Sequence, residues 1–199
     1  MIDNLLSENP SKKREWSKGL SNEVVELIKN LNNKGEAVVV DCGAGEGRHS
    51  IFALEQGVGK VVSIEKDNTQ GEILKSKLGQ YKNSEIKTGD VIEKLAEIED
   101  GSVDGIIDCG MSHYFKTEEE RIEFAELVKN KLKKGGLYSI THFSENEIAA
   151  KGLNHAKKEE VKALFPDILW DESIMPLHET SWESGGNKHF AYKAVLKKR

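Results

Sequence analysis

Residues 41–50 read DCGAGEGRHS, three glycines at alternate positions behind an acid. Bare backbone at Gly43, Gly45 and Gly47 permits positive φ and lets a ligand come against the main chain. A helix starting there offers free N–H groups and a partial positive charge. A dinucleotide, a phosphate or another nucleoside cofactor can use such a turn, and the spacing separates them. A dinucleotide fingerprint is G-x-G-x-x-G, whose third glycine would fall on Arg48. A phosphate loop needs Gly-Lys-Ser/Thr, absent here. Asp41 would repel a pyrophosphate and suits a ligand that carries positive charge.

More acids stand at comparable places. Glu65 lies 24 residues after Asp41 at the end of KVVSIE, where a carboxylate can accept both hydroxyls of a ribose. Asp90 follows a weaker strand signal in TGDVIEKL, and Asp108 closes DGIID. A single acid at a strand end is ordinarily a cap or a solvated turn residue. Four in phase with one repeating pattern point to a shared site. Cys42 and Cys109 each directly follow one of these acids, on what should be adjacent parallel strands, so the two thiols are expected to be near neighbours. Two small buried thiols is the default reading. No histidine, cysteine or acid spacing has the form H-E-x-x-H or C-x-x-C, and no metal site is expected.

The elements that must position these residues alternate. A helix starting near Ser21 puts Val24, Val25, Leu27, Ile28 and Leu31 on one face and stops at Gly35. EAVVVD (36–41) is a short β-branched run suited to a strand buried on both faces. Then follow a helix over 48–56, a strand over 60–65, a helix over 69–78 and a weaker strand over 84–90. Next come a short helix over 91–98, a strand over 102–108, an amphipathic helix over 118–131 and a strand over 135–143. The helix over 118–131 has acids in its first turn and lysines in its last, matching the helix dipole. A helix over 157–165 precedes two long strands, 168–180 and 188–198, around the loop SWESGGN. Strands separated by helices run parallel with helices on both faces. The last pair reads as an antiparallel hairpin, so the sheet is mixed at one end.

At 199 residues the chain is one domain, 37% hydrophobic and 32% charged, with a formal net charge of −5. That charge argues against a large nucleic-acid surface. No run approaches the ~18 apolar residues of a membrane span. The start, MIDNLLSENPSKKREW, has no apolar core like that of a signal peptide. Two cysteines are too few for a disulfide framework. A cytoplasmic protein is expected.

Taken together, VVVDCGAGEGRHS, VVSIEKD, TGDVIEKL, VDGIIDCGMSHYF and LKKGGLYSI resemble the ordered motifs of the class I S-adenosylmethionine-dependent methyltransferases, over roughly residues 20–199. GEGRHSIFALEQG and THFSENE are similar to segments of small-molecule members, the thiopurine and tellurite types. The resemblance implies an α/β fold, a Rossmann-like doubly wound seven-stranded sheet of order 3-2-1-4-5-7-6 with the last strand antiparallel. It implies that Gly43, Gly45 and Gly47, with Ala44 between them, line the amino-acid part and ribose of S-adenosyl-L-methionine. Asp41 would sit near the methionine moiety, Glu65 beside Lys66 would hold the ribose hydroxyls, Asp90 and the Val91 amide would meet the adenine, and Asp108 or its neighbours would approach the ammonium. A sulfonium and an ammonium suit acids at strand ends.

The implied reaction is in-line attack on the sulfonium methyl, helped by positioning and exclusion of water, with a general base only where the nucleophile must lose a proton. His113 and Tyr114 after the fourth strand and His142 at the fifth are the candidates for that base. His49 reads as packing, and Trp182, in the hairpin loop at the implied rim of the site, as a contact residue. Residues 1–20, with Lys12, Lys13, Arg14 and Trp16, form an N-terminal segment able to fold over the site as a lid; residues 21–199 form the methyltransferase domain. The segment after the fourth strand is DCGM rather than N-P-P-Y. With no basic surplus, this favours a small-molecule acceptor over nucleic acid. The alternatives are the same chemistry on protein or RNA, a cofactor-binding regulatory protein without transfer activity, and a NAD-dependent oxidoreductase.

Overall fold

A computed structural model of the chain describes residues 19–199. The segment with Lys12, Lys13, Arg14 and Trp16, expected as a lid, lies outside the described residues.

The β-branched runs form the expected strands: β1 (Val38–Cys42), β2 (Lys60–Glu65), β3 (Ser84–Thr88), β4 (Val103–Cys109), β5 (Leu132–Phe143), β6 (Trp170–Ser184) and β7 (Asn187–Lys198). They make one sheet of order β3-β2-β1-β4-β5-β7-β6. The first five are parallel, and β7 is antiparallel to both β5 and β6. The implied topology is therefore the observed one.

Successive side chains of a strand point to opposite faces, and this splits the core in two. Val40, Cys42 and Ile106 face α4 (Val91–Ala96), α5 (Glu118–Lys131) and α6 (Lys158–Leu164). Val39 and Ile107 face α1 (Asn22–Lys29), α2 (Arg48–Glu55) and α3 (Asn68–Leu78). The helix starts are set by side chains. Asp67 caps α3 through the Gln70 amide, Asp90 caps α4 through the Ile92 amide, and Thr117 and Glu120 form a reciprocal capping box on α5.

Two expectations need correction. The alternation places Cys42 and Cys109 on opposite faces of the sheet. Cys42 pairs with Asp108 in the β1–β4 register, and Cys109, one residue on, turns to the α1–α2 side. The thiols are free and do not form a pair. The last hairpin also turns more tightly than expected. Gly185 and Gly186, at φ 57° and 75°, make a two-residue turn, which needs positive φ at both positions. The strands therefore run to Ser184 and from Asn187, and Trp182 lies in the ladder opposite His189 rather than in a loop.

Candidate active site

The carboxyl ends of the parallel strands carry the site, as expected for an open α/β sheet. After β1 the chain makes its glycine turn. Gly43, Gly45 and Gly47 all have positive φ, at 70°, 57° and 86°. The Gly43 and Ala44 amides donate to the Ile64 carbonyl at 3.0 and 2.9 Å, tying the turn to the end of β2. Glu65 completes the tie: its carboxylate accepts the Gly45 amide at 2.7 Å and the Asp67 amide at 2.8 Å.

The three glycines are bare for different reasons. A Cβ on Gly43 would stand 2.7 Å from Met111 Cγ, and one on Gly47 would stand 2.5 Å from Leu74 Cδ1. A Cβ on Gly45 would meet nothing within 4 Å. Gly43 and Gly47 are thus demanded by the protein's own packing, while Gly45 presents backbone to open space. Gly45 and the Glu65 carboxylate are the groups here that could hold a ligand's hydroxyls. A second lone pair remains on each Glu65 oxygen for hydroxyl donors.

The other acids are turned inward. Asp41 is 2% exposed and accepts from Ser50 Oγ at 2.6 Å, beneath the turn. Burial pushes its pKa up to about 6, against the pull of that hydrogen bond. Asp108 is fully buried. It accepts the Met111 and Ser112 amides at 3.0 and 3.1 Å and the Tyr138 hydroxyl at 2.9 Å, and burial raises its pKa. Its carboxylate anchors the loop after β4, and its half-buried neighbours Cys109 and Gly110 are what this strand end presents. Asp90 is half-buried at its cap, Val91 is buried behind it and Lys66 is exposed.

The loop anchored by Asp108 brings the three base candidates together. It makes one 3-10 turn, Ser112–Tyr114. His113 stacks on Phe143 with centroids 4.2 Å apart and planes 10° from parallel; Tyr114 is 4.9 Å and His142 6.1 Å away. The stack continues from Phe143 to Trp182 at 6.3 Å and from Trp182 to His189 at 5.4 Å. Pro176 O meets His178, which is exposed, and Glu147 holds His189 at 3.2 Å. His142 is 3% exposed, and burial lowers its pKa to about 4, so the ring is neutral at physiological pH. Its Nδ1 is 2.9 Å from Ser112 Oγ and its Nε2 is 3.3 Å from Asn154 Oδ1. A cavity of about 280 Å³ opens beside this pair, between α5 and α6.

On the opposite face the sheet end is closed. Glu23 of α1, 0% exposed, pairs with Lys193 at 3.0 Å and accepts from the Thr141 hydroxyl. Cys109 Sγ lies 3.7 Å from Glu23, 3.6 Å from Arg48 and 3.0 Å from Ser21 Oγ; burial pushes the thiol up to about 11. His49 is buried in this layer, and burial drives its pKa well down, in keeping with a packing role. Sequence reasoning misses Ser112, Asn154, Arg121 and Glu23. Ser112 is signalled only by preceding His113. Glu23 stands four residues before Leu27, on the apolar stripe of α1, which is the available sign of its burial. Among the described residues no three His, Cys, Asp or Glu side chains gather to hold a metal ion, and no helix is long and apolar enough to cross a membrane.

Comparison with known proteins bears on the fold. Residues 39–136 match the model of a methyltransferase domain. Ribosomal RNA small subunit methyltransferase H of Clostridium botulinum is 36% identical over 104 residues, 48% of this chain and 33% of that protein. The chain thus spans about a third of the length of the curated relatives it matches. TehB of Haemophilus influenzae superposes with a TM-score of 0.76 at 18% identity, covering 92% of this chain and 64% of that one. The 1,6-didemethyltoxoflavin-N1-methyltransferase of Burkholderia thailandensis, solved with its substrate and S-adenosylhomocysteine, gives 0.65 at 17% identity, covering 92% and 80%. The chain carries a methyltransferase domain on the Rossmann-like fold of the S-adenosylmethionine-dependent class.

Proposed function

We propose that this methyltransferase domain transfers a methyl group from S-adenosyl-L-methionine to a nucleophilic atom of a small molecule in the cytoplasm. One observation carries the reading: an open glycine turn and an apolar-walled cavity lie on either side of a single loop. Met111 of that loop packs against Gly43, and Ser112, the next residue, lines the cavity.

In this reading the backbone of Gly43, Ala44, Gly45 and Gly47 receives the amino-acid part and ribose, and Glu65 takes the ribose hydroxyls beside Lys66. Asp90 and the Val91 amide meet the adenine. Asp41 and Asp108 act from below, by fixing the turn through Ser50 and the loop through Met111 and Ser112. The bound cofactor supplies a carbon electrophile whose leaving group departs as a neutral thioether. The chain's task is to orient the acceptor, exclude water and take a proton where the acceptor carries one. His142 is the base best placed for that, and His113 and Tyr114 lie beside it without lining the cavity.

A second reading, transfer to RNA, draws on the local identity to the ribosomal RNA enzyme. It requires salt-sensitive binding to RNA, and the net charge of −5 weighs against it. Calorimetric titration with S-adenosylmethionine, S-adenosylhomocysteine and NAD tests the cofactor assignment. Saturable binding of the two adenosyl compounds and none of NAD is expected. Failure of both adenosyl compounds to bind folded protein would sink the reading.

A further inference from the structure

The cavity between α5 and α6 has a chemistry of its own. Its walls are Phe115, Phe124, Ile140, Val161 and Phe165, and its inner end is Ser112 with His142. At about 280 Å³ it is larger than the roughly 150 Å³ apolar cavity that takes benzene. Its size suits a one- or two-ring molecule rather than a ring with its sugar and phosphate. Its mouth is exposed and carries Glu118, Ile122, Glu160 and Ala163.

The polar end has a defined proton order. Arg121 donates to Asn154 Oδ1 at 2.6 Å, which identifies that atom as the acceptor. Since the same oxygen faces His142 Nε2 at 3.3 Å, Nε2 carries the ring proton. Nδ1 therefore offers a lone pair, and Ser112 Oγ donates to it at 2.9 Å. A hydroxyl, a base and a group that orients the base stand in line at the end of an apolar cavity, the arrangement that activates a weak nucleophile.

Resting on the methyltransferase reading, we propose that this cavity is the acceptor site and that its ligand is a small aromatic or heteroaromatic ring with one weakly acidic O–H or N–H directed at Ser112. The ring's O–H or N–H donates to Ser112 Oγ and Ser112 donates to His142 Nδ1, so that the proton moves along this line only as the methyl bond forms. The electron pair left on the ring's heteroatom is the one that takes the methyl group, and the imidazolium returns its proton to water. Arg121 on α5 favours the anion. The other charged and titratable groups around the relay are Glu118 on the same helix, Glu160 on α6, His155 before it, His113 with its ring 6.1 Å from that of His142, and Asp108 with Tyr138 behind Ser112. Ser112 and His142 thus act together, and Asn154 is a positioning residue.

The test is calorimetric titration with 4-nitrophenol, buffered below its solution pKa, with absorbance as the check that the ring stays neutral. Wild type, Ala163→Trp at the mouth, Ser112→Ala and His142→Gln are compared, each checked for folding by circular dichroism. The same samples are titrated with S-adenosylhomocysteine. Wild type is expected to bind saturably with the ring still neutral, since no methyl donor is present. Ala163→Trp should weaken that binding tenfold or more. Ser112→Ala and His142→Gln, which remove or misdirect the acceptor for the ring's O–H, should each weaken it severalfold, and all four should keep their affinity for S-adenosylhomocysteine. Absence of saturable binding, binding undiminished by Ala163→Trp, or binding undiminished in both relay variants would each overturn the inference. Failure of the nitrophenol result beside intact S-adenosylhomocysteine binding strikes this inference alone. Loss of S-adenosylhomocysteine binding in wild type strikes the methyltransferase reading, and the acceptor role with it.

Discussion

The two faces of the sheet's carboxyl end are built to opposite plans. On the α1–α2 face a buried carboxylate, an ammonium and a threonine hydroxyl satisfy one another. On the α5–α6 face a neutral serine–histidine pair borders a cavity. The glycine turn sits at the boundary and repeats the contrast, since Gly43 and Gly47 are packed against side chains and Gly45 is not. The lesson is a division of labour. Where the structure is closed, a substitution should cost stability, and where it is open, it should cost binding.

The largest effect is expected on the closed face. Lys193→Met leaves Glu23, 0% exposed, without its cation. Removing one partner of a buried pair typically costs about 3–5 kcal/mol. Urea denaturation should show a loss of that order, with cofactor affinity of the folded fraction little changed. The double variant Glu23→Gln, Lys193→Met should recover much of it, because no charge is then stranded. A double variant as unstable as the single one would mean that packing, not charge, closes this face.

On the open face the corresponding effect appears as pH dependence. The His142 pKa is about 4 in the folded protein against the ordinary histidine value of 6.5. Between those values the unfolded chain binds a proton that the folded protein does not, so stability rises with pH. The contribution is fully present above about pH 6.5 and lost as pH falls toward 4, and its size is on the order of 3 kcal/mol. Asp41, raised to about 6 by burial, has the opposite sign: its stabilisation is present at low pH and lost as pH rises through 6. His49 on the closed face shares the sign of His142. The difference between wild type and His142→Gln isolates the first contribution. Equal slopes in the two between pH 4 and 6.5 would show that His142 is accessible to water and protons.

At the boundary, Glu65→Ala should weaken S-adenosylhomocysteine binding about a hundredfold. It removes a carboxylate that holds two amides, and hydrogen bonds to a charged group contribute about 1.5–3 kcal/mol each. A tenfold smaller effect by calorimetry would mean that the strand contacts of Gly43 and Ala44 hold the turn by themselves.

The contrast also explains what could be read from the sequence. The glycine turn and Glu65 are legible because their geometry is local: positive φ demands glycine, and an acid at a strand end marks the crevice. Strand order follows from alternation with helices. The cavity is different. Ser112, Arg121 and Asn154 lie on three separate segments, and only the tertiary packing of α5 against α6 brings them to His142. Asp41 and Asp108 show what the pleat adds. Their positions suggest contact with a ligand, but the pleat turns both inward, and an inward acid is spent on the protein's own donors. The cysteines fail for the same reason, since adjacency in register does not place two side chains on one face.

The finest test compares two alanines within one turn. Gly47→Ala adds a methyl at φ 86° and 2.5 Å from Leu74 Cδ1, and Leu74 is 0% exposed and cannot yield without disturbing the core. Left-handed backbone costs about 1–2 kcal/mol for a residue with a Cβ, and overpacking adds about 1 kcal/mol or more. A fall of about 2–3 kcal/mol in urea denaturation is therefore expected. Gly45→Ala, at φ 57° with nothing within 4 Å of its Cβ, should bear only the backbone cost, about 1 kcal/mol. Its methyl instead projects into the open side of the turn, and calorimetry should show at least a tenfold loss of S-adenosylhomocysteine affinity. If Gly45→Ala proved as unstable as Gly47→Ala and bound the ligand normally, the turn would be uniformly packed. The nucleoside would then lie on Glu65 and Asp90 without touching the middle glycine.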